Sequence, residues 1–182
     1  MRRAEARIID LPAALAWRAL LRRDLRELVV TNGCFDVLHA GHVASLQAAR
    51  EQGDALLVLL NSDGSVRGLK GPSRPLHGEQ ARALVLAGLR AVDAVVIFDA
   101  PDCAVELLAL APEVYAKCAE YQDCQNPAEQ RALAQAETRV VWLPRDARYS
   151  TTAVLEKLGA PSVGSAPVPT SAAVESTGRD RT

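Results

Sequence analysis

Aromatic residues and long hydrophobic runs are scarce in this sequence. Phe, Trp and Tyr together make up 4% of the 182 residues, so the core has to be aliphatic, built mostly from Leu, Val and Ala. No run approaches the roughly 18 apolar residues that a membrane span requires. The first ten residues, MRRAEARIID, are charged and lack the apolar centre of a secretory signal. We therefore predict a cytoplasmic protein with no membrane partner.

An excess of charge and a metal-binding pattern of cysteines are also missing. The formal net charge is −1, which gives no reason to expect a nucleic acid as partner. The four cysteines (Cys34, Cys103, Cys118 and Cys124) contain no CxxC pair, which argues against a structural zinc site. Reduced thiols are the simplest expectation, with a Cys118–Cys124 disulfide as the alternative.

Apolar segments alternate with amphipathic segments along the chain. The segment at 55–60, ALLVLL, is continuously apolar, as expected of a strand buried on both faces of a parallel sheet. This alternation predicts an α/β fold: a Rossmann-like three-layer α/β/α arrangement around a mainly parallel five-stranded sheet. The predicted strands are 28–31, 55–60, 94–98, 113–117 and 139–143, and the predicted helices are 12–26, 41–52, 79–90, 102–110, 127–136 and 150–158.

Three parts are expected along the chain. They are a helical lead-in at 1–27, a domain at 28–158 and a disordered tail at 159–182. The tail is rich in Gly, Ala, Pro, Ser and Thr and has no hydrophobic period.

The lead-in contains a helix with clear start signals. Asp10 is predicted to cap it, and Pro12 is predicted to lie in its first turn. Its arginines are interspersed with apolar residues. We predict that they form a solvent-exposed helix face, with a phosphate clamp as the alternative. These arginines are Arg18, Arg22, Arg23 and Arg26.

The segment at 65–78, SVRGLKGPSRPLHG, contains three glycines and two prolines. We predict a long polar connection, a kind of segment that in compact domains usually carries function. Ligands of parallel sheets bind beyond the carboxyl ends of the strands. The turn after the first strand, the segment 61–78, Lys117 and the loop 144–150 should therefore converge on one edge of the sheet.

The stretch at 29–42, VVTNGCFDVLHAGH, has the layout of a phosphate site: a strand, a glycine-bearing turn and a helix start. A helix N-terminus presents unpaired N–H groups and about half a positive charge. Gly33 and Gly41 allow close backbone approach or dihedrals that a side chain would block. His39 and His42 add ring N–H donors and, when protonated, positive charge. The structural alternative is that both histidines only line the helix start.

The HxGH pattern of His39, Gly41 and His42 resembles the signature of the cytidylyltransferase-like nucleotidyltransferases. Those enzymes transfer a nucleotidyl group from a nucleoside triphosphate to a phosphorylated small molecule or a related acceptor. Further segments resemble one subfamily, the heptose 1-phosphate adenylyltransferase domain of ADP-heptose synthase. They are NSD at 61–63, LKGPSRP at 69–75, EQ at 79–80, AVD at 91–93, LP at 143–144 and YSTT at 149–152. The resemblance covers about residues 11–158.

The resemblance implies transfer of AMP from ATP to D-glycero-β-D-manno-heptose 1-phosphate, giving ADP-heptose and pyrophosphate. Such a displacement needs charge neutralisation and in-line positioning more than a strong base, because the acceptor phosphate is already anionic. Mg²⁺ is expected to arrive with the nucleotide and to need no side-chain ligands. The expected partners are small molecules, together with further copies of the chain in a homodimer or larger homo-oligomer.

The resemblance also implies roles for individual residues. His39, His42 and Lys70 are predicted to be catalytic. Nucleotide binding is assigned to Thr31, Asn32, Gly33, Cys34, Phe35, Gly41, Lys117, Ser150 and Thr151, and acceptor binding to Asp36, Asn61, Asp63 and Arg74. Structural alternatives stay open: loop charges for Lys70 and Arg74, a helix cap for Ser150, and turn hydrogen bonds for Asp36 and Asp63.

One segment departs from the subfamily pattern. Residues 117–121 read KCAEY where the subfamily usually carries KGGDY. Cys118 and Ala119 are small, so we expect a reshaped site rather than a lost one. The departure puts the identity of the acceptor in question more than the type of reaction.

Two other functions remain open. One is a CTP-dependent enzyme acting on glycerol 3-phosphate or a similar alcohol phosphate, because Leu143-Pro144-Arg145 before YSTT also resembles that branch. The other is a nucleotide-binding protein without catalysis. Members of the heptose subfamily often carry a fused sugar-kinase domain, so a separate kinase is expected to supply the sugar 1-phosphate here.

Overall fold

A computed structural model describes residues 3–144 of the chain. Within them, five strands form one sheet in the order β3-β2-β1-β4-β5, and every neighbouring pair is parallel. The strands are β1 (Leu28–Gly33), β2 (Ala55–Asn61), β3 (Ala94–Phe98), β4 (Val114–Cys118) and β5 (Arg139–Leu143). The predicted Rossmann-like fold is therefore confirmed, and its sheet is parallel throughout rather than mainly parallel.

Helices connect the strands, as the alternation of segments predicts. In chain order they are α1 (Leu11–Arg23), α2 (Ala40–Arg50), α3 (Asp63–Lys70), α4 (Glu79–Gly88), α5 (Ala104–Leu110) and α6 (Pro127–Gln135). Short 3-10 helices lie at Ala4–Arg7 and Ala119–Cys124. The predicted helix at 150–158 and the predicted disordered tail at 159–182 lie outside the described residues.

The sheet separates two hydrophobic cores, because successive residues of a strand point to opposite faces. Leu28 and Val30 of β1 pack with α1, α5 and α6, whereas Val29 between them packs with α2 and α4. Both cores are mainly aliphatic, as the shortage of aromatic residues predicts, with Phe98 and Tyr115 as the buried aromatic side chains of the described part. Helices thus cover both faces and leave the strand ends open for a site.

The first helix begins where the sequence predicts it, but its arginines behave differently. The side chain of Asp10 accepts the backbone N–H of Ala13 over 2.9 Å and caps α1. Arg18 is buried; it donates to the carbonyl oxygens of Leu110 and Ala111 and pairs with Glu113. Since Glu113 directly precedes β4, these bonds lie at the amino edge of the sheet. The solvated-face prediction is therefore wrong for Arg18, and its position does not fit the phosphate clamp either.

The segment 61–78 is not the continuous polar connection that the sequence predicts. Residues 63–70 form α3, capped by Ser62, whose Oγ accepts the N–H of Ser65 over 3.0 Å. Ser and Asp residues favour turns and helix starts alike, and two glycines inside α3 concealed the helix. Gly71, with φ of 91°, ends α3 in a conformation that glycine adopts without strain. A loop remains at 71–78.

Candidate active site

The predicted nucleotide-binding residues of β1 and β4 lie at the carboxyl edge of the sheet. β1 is the central strand and ends at Gly33, and β2 and β4 lie on either side of it. Lys117 is next to last in β4, and Asn61 ends β2. α2 starts beyond the β1 turn, which places Gly41 in its first helical turn. The predicted Ser150 and Thr151 lie outside the described residues.

His39 and His42 stack against each other at the start of α2. Their ring centroids are 3.9 Å apart, and the planes are tilted by 35°. The backbone N–H of His39 donates to Nδ1 of His42 over 3.3 Å, so the proton of a neutral His42 ring lies on Nε2. The pair thus places an imidazole N–H donor beside the unpaired N–H groups of the helix N-terminus, which together suit an anion.

Both imidazoles are neutral near pH 7. Burial lowers the pKa of His39. Burial, followed by the charges of His39 and Lys70, lowers the pKa of His42 to about 4. In the protein without ligand, the histidines therefore offer hydrogen-bond donors rather than positive charge. A bound anion beside them would favour the charged form and raise the pKa.

Lys70, the third predicted catalytic residue, is the exposed last residue of α3. Its charge contributes to lowering the pKa of His42 and opposes the effect of burial on Cys34. The ammonium group is therefore close enough to His42 and Cys34 for its charge to act on both. The structure brings the three predicted catalytic residues into one region.

The turn after β1 depends on a close contact and on an unusual backbone angle. A Cβ atom on Gly33 would lie 3.0 Å from the ring of Phe35, so a larger residue would push that ring aside. Phe35 has φ of 45°, a left-handed conformation that costs a non-glycine residue roughly 1–2 kcal/mol. Backbone strain of this kind concentrates at functional sites. The turn at residues 33–35 is therefore closely packed and has a defined backbone conformation, unlike a flexible glycine loop.

Cys34 in this turn is a neutral thiol. Burial raises its pKa, and the nearby charges of Lys70 and Arg82 only partly oppose that effect. Its Sγ lies 3.8 Å from Oδ1 of Asn61, to which it donates weakly. All four cysteines of the chain are free, so the alternative Cys118–Cys124 disulfide does not form. Cys34 can line a nucleotide site, but it is not an activated nucleophile.

Asp36 and Arg74, both predicted to bind the acceptor, form a buried ion pair. Nε of Arg74 lies 3.0 Å from Oδ2 of Asp36, and the two side chains are 8% and 1% exposed. Oδ1 of Asp36 accepts the backbone N–H groups of Leu76 over 2.6 Å and His77 over 3.3 Å. The carboxylate therefore fastens the loop 71–78 onto the β1 turn. Asp36 thus has a structural role, but its bonds go to the loop 71–78 and not to its own turn as the alternative had it, and they leave the charge of Arg74 compensated.

Arg82 of α4 is a buried residue that the sequence analysis missed. Its guanidinium donates to the carbonyl oxygens of Cys34 over 2.6 Å, Asn61 over 2.9 Å and His77 over 2.9 Å. It also pairs with Oδ1 of Asp63 over 2.7 Å. One side chain thus joins the β1 turn, the end of β2, the loop 71–78 and the start of α3. These are the segments that carry the predicted acceptor residues.

A cleft of about 820 Å³ opens between the starts of α3 and α4 and the end of β3. Asp63, Arg67, Glu79 and Asp99 contribute to its polar lining. The backbone N–H of Asp63 donates to Oε2 of Glu79 over 2.7 Å, and Ser62 donates to Asp99. Asp63 therefore serves the local fold and also faces the cleft. Carboxylates and a guanidinium around an open space suit a ligand with several hydroxyl groups.

Lys117 takes part in a network at the ends of β1 and β4. Its Nζ donates to Oδ1 of Asn32 over 2.9 Å and to the hydroxyl of Tyr115 over 3.1 Å. Glu129 of α6, which the sequence analysis also missed, accepts from Nδ2 of Asn32 over 3.0 Å. The carboxylate lies 3.6 Å from Nζ of Lys117. The predicted nucleotide-binding residues Asn32 and Lys117 are thus in contact with each other, and Glu129 contacts both of them from α6.

Residues 3–144 contain no group of three or more His, Cys, Asp or Glu side chains arranged to hold a metal ion. In the same part of the chain, no helix is long and apolar enough to cross a bilayer.

A parallel sheet with a glycine turn and stacked histidines at its carboxyl edge defines an α/β domain whose open edge suits a phosphate-bearing ligand. Comparison with known families agrees with this class. The family model described as cytidylyltransferase-like matches residues 30–157, well over half of the sequence. The chain belongs to the cytidylyltransferase-like family, which confirms the resemblance drawn from its motifs.

Curated relatives with the name bifunctional protein HldE are similar to this chain. The one from Koribacter versatilis is 50% identical over 118 residues, covering 65% of this chain and 24% of the relative. The one from Mesorhizobium japonicum is 44% identical over 156 residues, covering 85% and 31%. The one from Helicobacter pylori is 42% identical over 139 residues, covering 76% and 29%. The chain therefore spans about a quarter to a third of the length of these relatives.

Two solved structures share the fold. A lipopolysaccharide core biosynthesis protein from Thermoplasma volcanium superposes with a TM-score of 0.55 at 24% identity, covering 66% of this chain and 97% of that protein. Pantoate-beta-alanine ligase from Francisella tularensis, complexed with beta-gamma ATP and beta-alanine, gives a TM-score of 0.50 at 12% identity, covering 81% and 74%. At these identities the likeness concerns the fold alone.

Proposed function

We propose that this chain is a nucleotidyltransferase that transfers AMP from ATP to D-glycero-β-D-manno-heptose 1-phosphate, giving ADP-heptose and pyrophosphate. The observation that carries the proposal is the stacked His39–His42 pair at the N-terminus of α2. Similarity to HldE proteins supports the choice of acceptor, because HldE has a heptose 1-phosphate adenylyltransferase domain.

In the proposed reaction, an oxygen of the acceptor phosphate attacks the α-phosphorus of ATP. The bond from this phosphorus to the oxygen bridging the α- and β-phosphates breaks, and its electron pair leaves with pyrophosphate. No general base is needed, because the attacking oxygen is already anionic. His39 and His42 donate N–H bonds to the triphosphate as charge moves onto the leaving group, and Lys70 adds a positive charge nearby.

Two neighbouring regions would hold the two substrates. Nucleotide binding is proposed for the end of β1, the turn and the start of α2, with Lys117 on β4; the residues are Thr31, Asn32, Gly33, Cys34, Phe35 and Gly41. The acceptor is proposed to lie toward the end of β2, where Asn61 is located, with its sugar hydroxyls near Asp63 in the polar cleft. Asp36 and Arg74 would shape that region through the loop they fasten.

The proposal also includes Mg²⁺, a cytoplasmic location and a homodimer or larger homo-oligomer. The described site offers N–H groups and a lysine ammonium rather than a cluster of acidic ligands. Such donors suit the phosphates, and Mg²⁺ is proposed to arrive on the nucleotide, where it would neutralise charge on the phosphate oxygens. We further propose a domain at 28–158, following the lead-in at 1–27 and preceding a tail at 159–182.

The test is pyrophosphate release in the presence of Mg²⁺, with ATP or CTP crossed against heptose 1-phosphate or glycerol 3-phosphate. Release with ATP and heptose 1-phosphate alone is the expected result. Release only with CTP and glycerol 3-phosphate would replace the substrates and keep the reaction type. Protein that binds nucleotide yet releases no pyrophosphate with any pair would contradict the proposed activity.

A further inference from the structure

A buried acidic residue, Glu129, lies directly behind the predicted nucleotide site. Its Oε1 accepts from Nδ2 of Asn32 over 3.0 Å, from the backbone N–H of Cys103 over 3.3 Å and from Sγ of Cys103 over 3.2 Å. Its Oε2 lies 3.4 Å from the hydroxyl oxygen of Tyr115 and 3.6 Å from Nζ of Lys117. Both carboxylate oxygens thus form contacts. These contacts link α6, which covers one face of the sheet, to β1 and β4.

The carboxylate determines which way the amide of Asn32 points. A carboxylate only accepts hydrogen bonds, so the NH₂ end of the amide has to face Glu129. Oδ1 of Asn32 is then turned toward Lys117 and Tyr115, from which it accepts over 2.9 and 2.7 Å. With Nδ2 also 3.1 Å from Sγ of Cys103, both ends of the Asn32 amide are held within this network.

The charges in this network are confined to two side chains. Burial raises the pKa of Tyr115 and of Cys103, and the charge of Glu129 adds to both shifts, so both residues contribute hydrogen bonds but no charge. Within residues 3–144, Lys117 is the cation paired with Glu129. The Lys117 ammonium therefore has a defined place: against Asn32 and Tyr115, with the ring of Tyr121 5.3 Å from Nζ.

We propose that Glu129 is a positioning residue for the nucleotide and acts through Lys117. It holds the ammonium at the carboxyl ends of β1 and β4, where the nucleotide is proposed to bind. This inference rests on the proposed function, since it names a further residue of the same site. A neutral amide cannot substitute, because its NH₂ group would face either the Lys117 ammonium or the NH₂ of Asn32. The first contact would repel the Lys117 ammonium, and the second would turn the Asn32 amide, whose Oδ1 accepts from Lys117.

The experiment is a double-mutant cycle read by direct titration of ATP binding. Glu129→Gln should raise the Kd for ATP about tenfold, within the coupling range of residues in one network. In the Lys117→Met background, the same change should leave the Kd within about twofold, because the group through which Glu129 acts is gone. Additive effects in the double variant would overturn the inference. The KM for the acceptor should stay within about twofold.

Glu51→Gln is the matched control, since it removes the same charge from an exposed residue at the end of α2, at the other edge of the sheet. Its Kd for ATP should equal that of the original protein; a shift equal to that of Glu129→Gln would mean that net charge alone is responsible.

Should Glu129→Gln fail to fold, Tyr115→Phe removes the hydroxyl that accepts from Lys117 while keeping the ring. An unchanged Kd in that variant would then overturn the inference. Failure of the original protein to bind any nucleotide would instead contradict the proposed function.

Discussion

At the scale of single residues, the histidines owe their chemistry to where they are buried. A histidine in water titrates near pH 6.5, and burial beside a second imidazole and Lys70 lowers the pKa of His42 to about 4. Both rings are therefore neutral near pH 7, so they can donate hydrogen bonds without repelling each other. His77, the remaining histidine, contributes only its backbone groups to the described hydrogen bonds of the loop 71–78.

The titration of His42 should depend on bound nucleotide. Because its pKa is lowered, the ring stays neutral as the pH falls below 6.5 and gains its proton only near pH 4. A triphosphate beside the ring favours the protonated form, so ATP should raise that pKa. Proton NMR of the imidazole, with His42→Asn to assign the signal, measures both values. A pKa that ATP leaves unchanged would contradict contact between His42 and the phosphates.

Replacing His39 should affect turnover rather than folding. His39→Ala removes one donor from the site of developing charge, a loss typically worth about 10²–10³ in turnover. The urea midpoint should change little, because Nδ1 of His39 has no hydrogen-bond partner within the described part of the chain. Pyrophosphate release measures the effect, and His77→Ala is the matched control that should keep its rate. Equal rates for the two variants would refute the role of His39.

At the scale of elements, α4 organises the acceptor side of the site through Arg82. The helix was predicted, but its buried arginine was not assigned a role. The available signal was its spacing: Arg82 lies one position before Ala83 and four before Leu86, both buried, so helical periodicity places it at the edge of the core-facing side. An arginine there needs partners, and the carbonyl groups of three separate segments supply them.

Removing Arg82 should destabilise the protein strongly. Arg82→Met leaves three carbonyl oxygens without this donor and Asp63 without its cation, a loss typical of broken buried pairs, about 3–5 kcal/mol. Urea unfolding measures the free energy of unfolding. Arg90→Met, at an exposed position just beyond α4, should change it by less than about 0.5 kcal/mol. A loss below about 1 kcal/mol for Arg82→Met would show that the network contributes little.

At the scale of the whole molecule, the lead-in belongs to the same core as the sheet. α1 contributes Ala14 and Leu21 to the cluster that also contains Leu28 and Val30 of β1. Arg18 joins the helix to the segment before β4, on the same face. The helix of the lead-in therefore covers one face of the sheet and packs against the domain that follows it.

Two adjacent leucines of α1 provide the test of this packing. Leu21 is 2% exposed and Leu20 is 50% exposed. Leu21→Ala should lower the free energy of unfolding by about 2–4 kcal/mol, because it opens a cavity in a closely packed core. Leu20→Ala should change it by less than about 0.5 kcal/mol. Thermal or urea unfolding of both variants decides the matter, and similar small losses would mean that α1 packs only loosely.

Local patterns in the sequence were sufficient to predict the fold and the turn and helix start at which the site is proposed. Continuous apolar runs predicted β2 and β3, Asp10 predicted the start of α1, and the HxGH spacing predicted a helix start beyond β1. These features depend on neighbours within a few residues, so the sequence alone expresses them. The helix at 63–70 was missed because Ser62 and Asp63 suit a turn as well as a cap.

The partners of charged side chains depended on the tertiary structure instead. Arg74 finds Asp36, Arg82 finds Asp63, and Lys117 finds Glu129 across 12 to 38 residues of chain. Sequence separation contains no information about such pairs, since they meet only after the parallel sheet has brought strand ends together. The sequence by itself determined the α/β class, the order of strands along the chain and the glycine turn with the helix start beyond β1. Folding decided which charges remain free to meet a ligand, because burial forces each buried charge to find a partner.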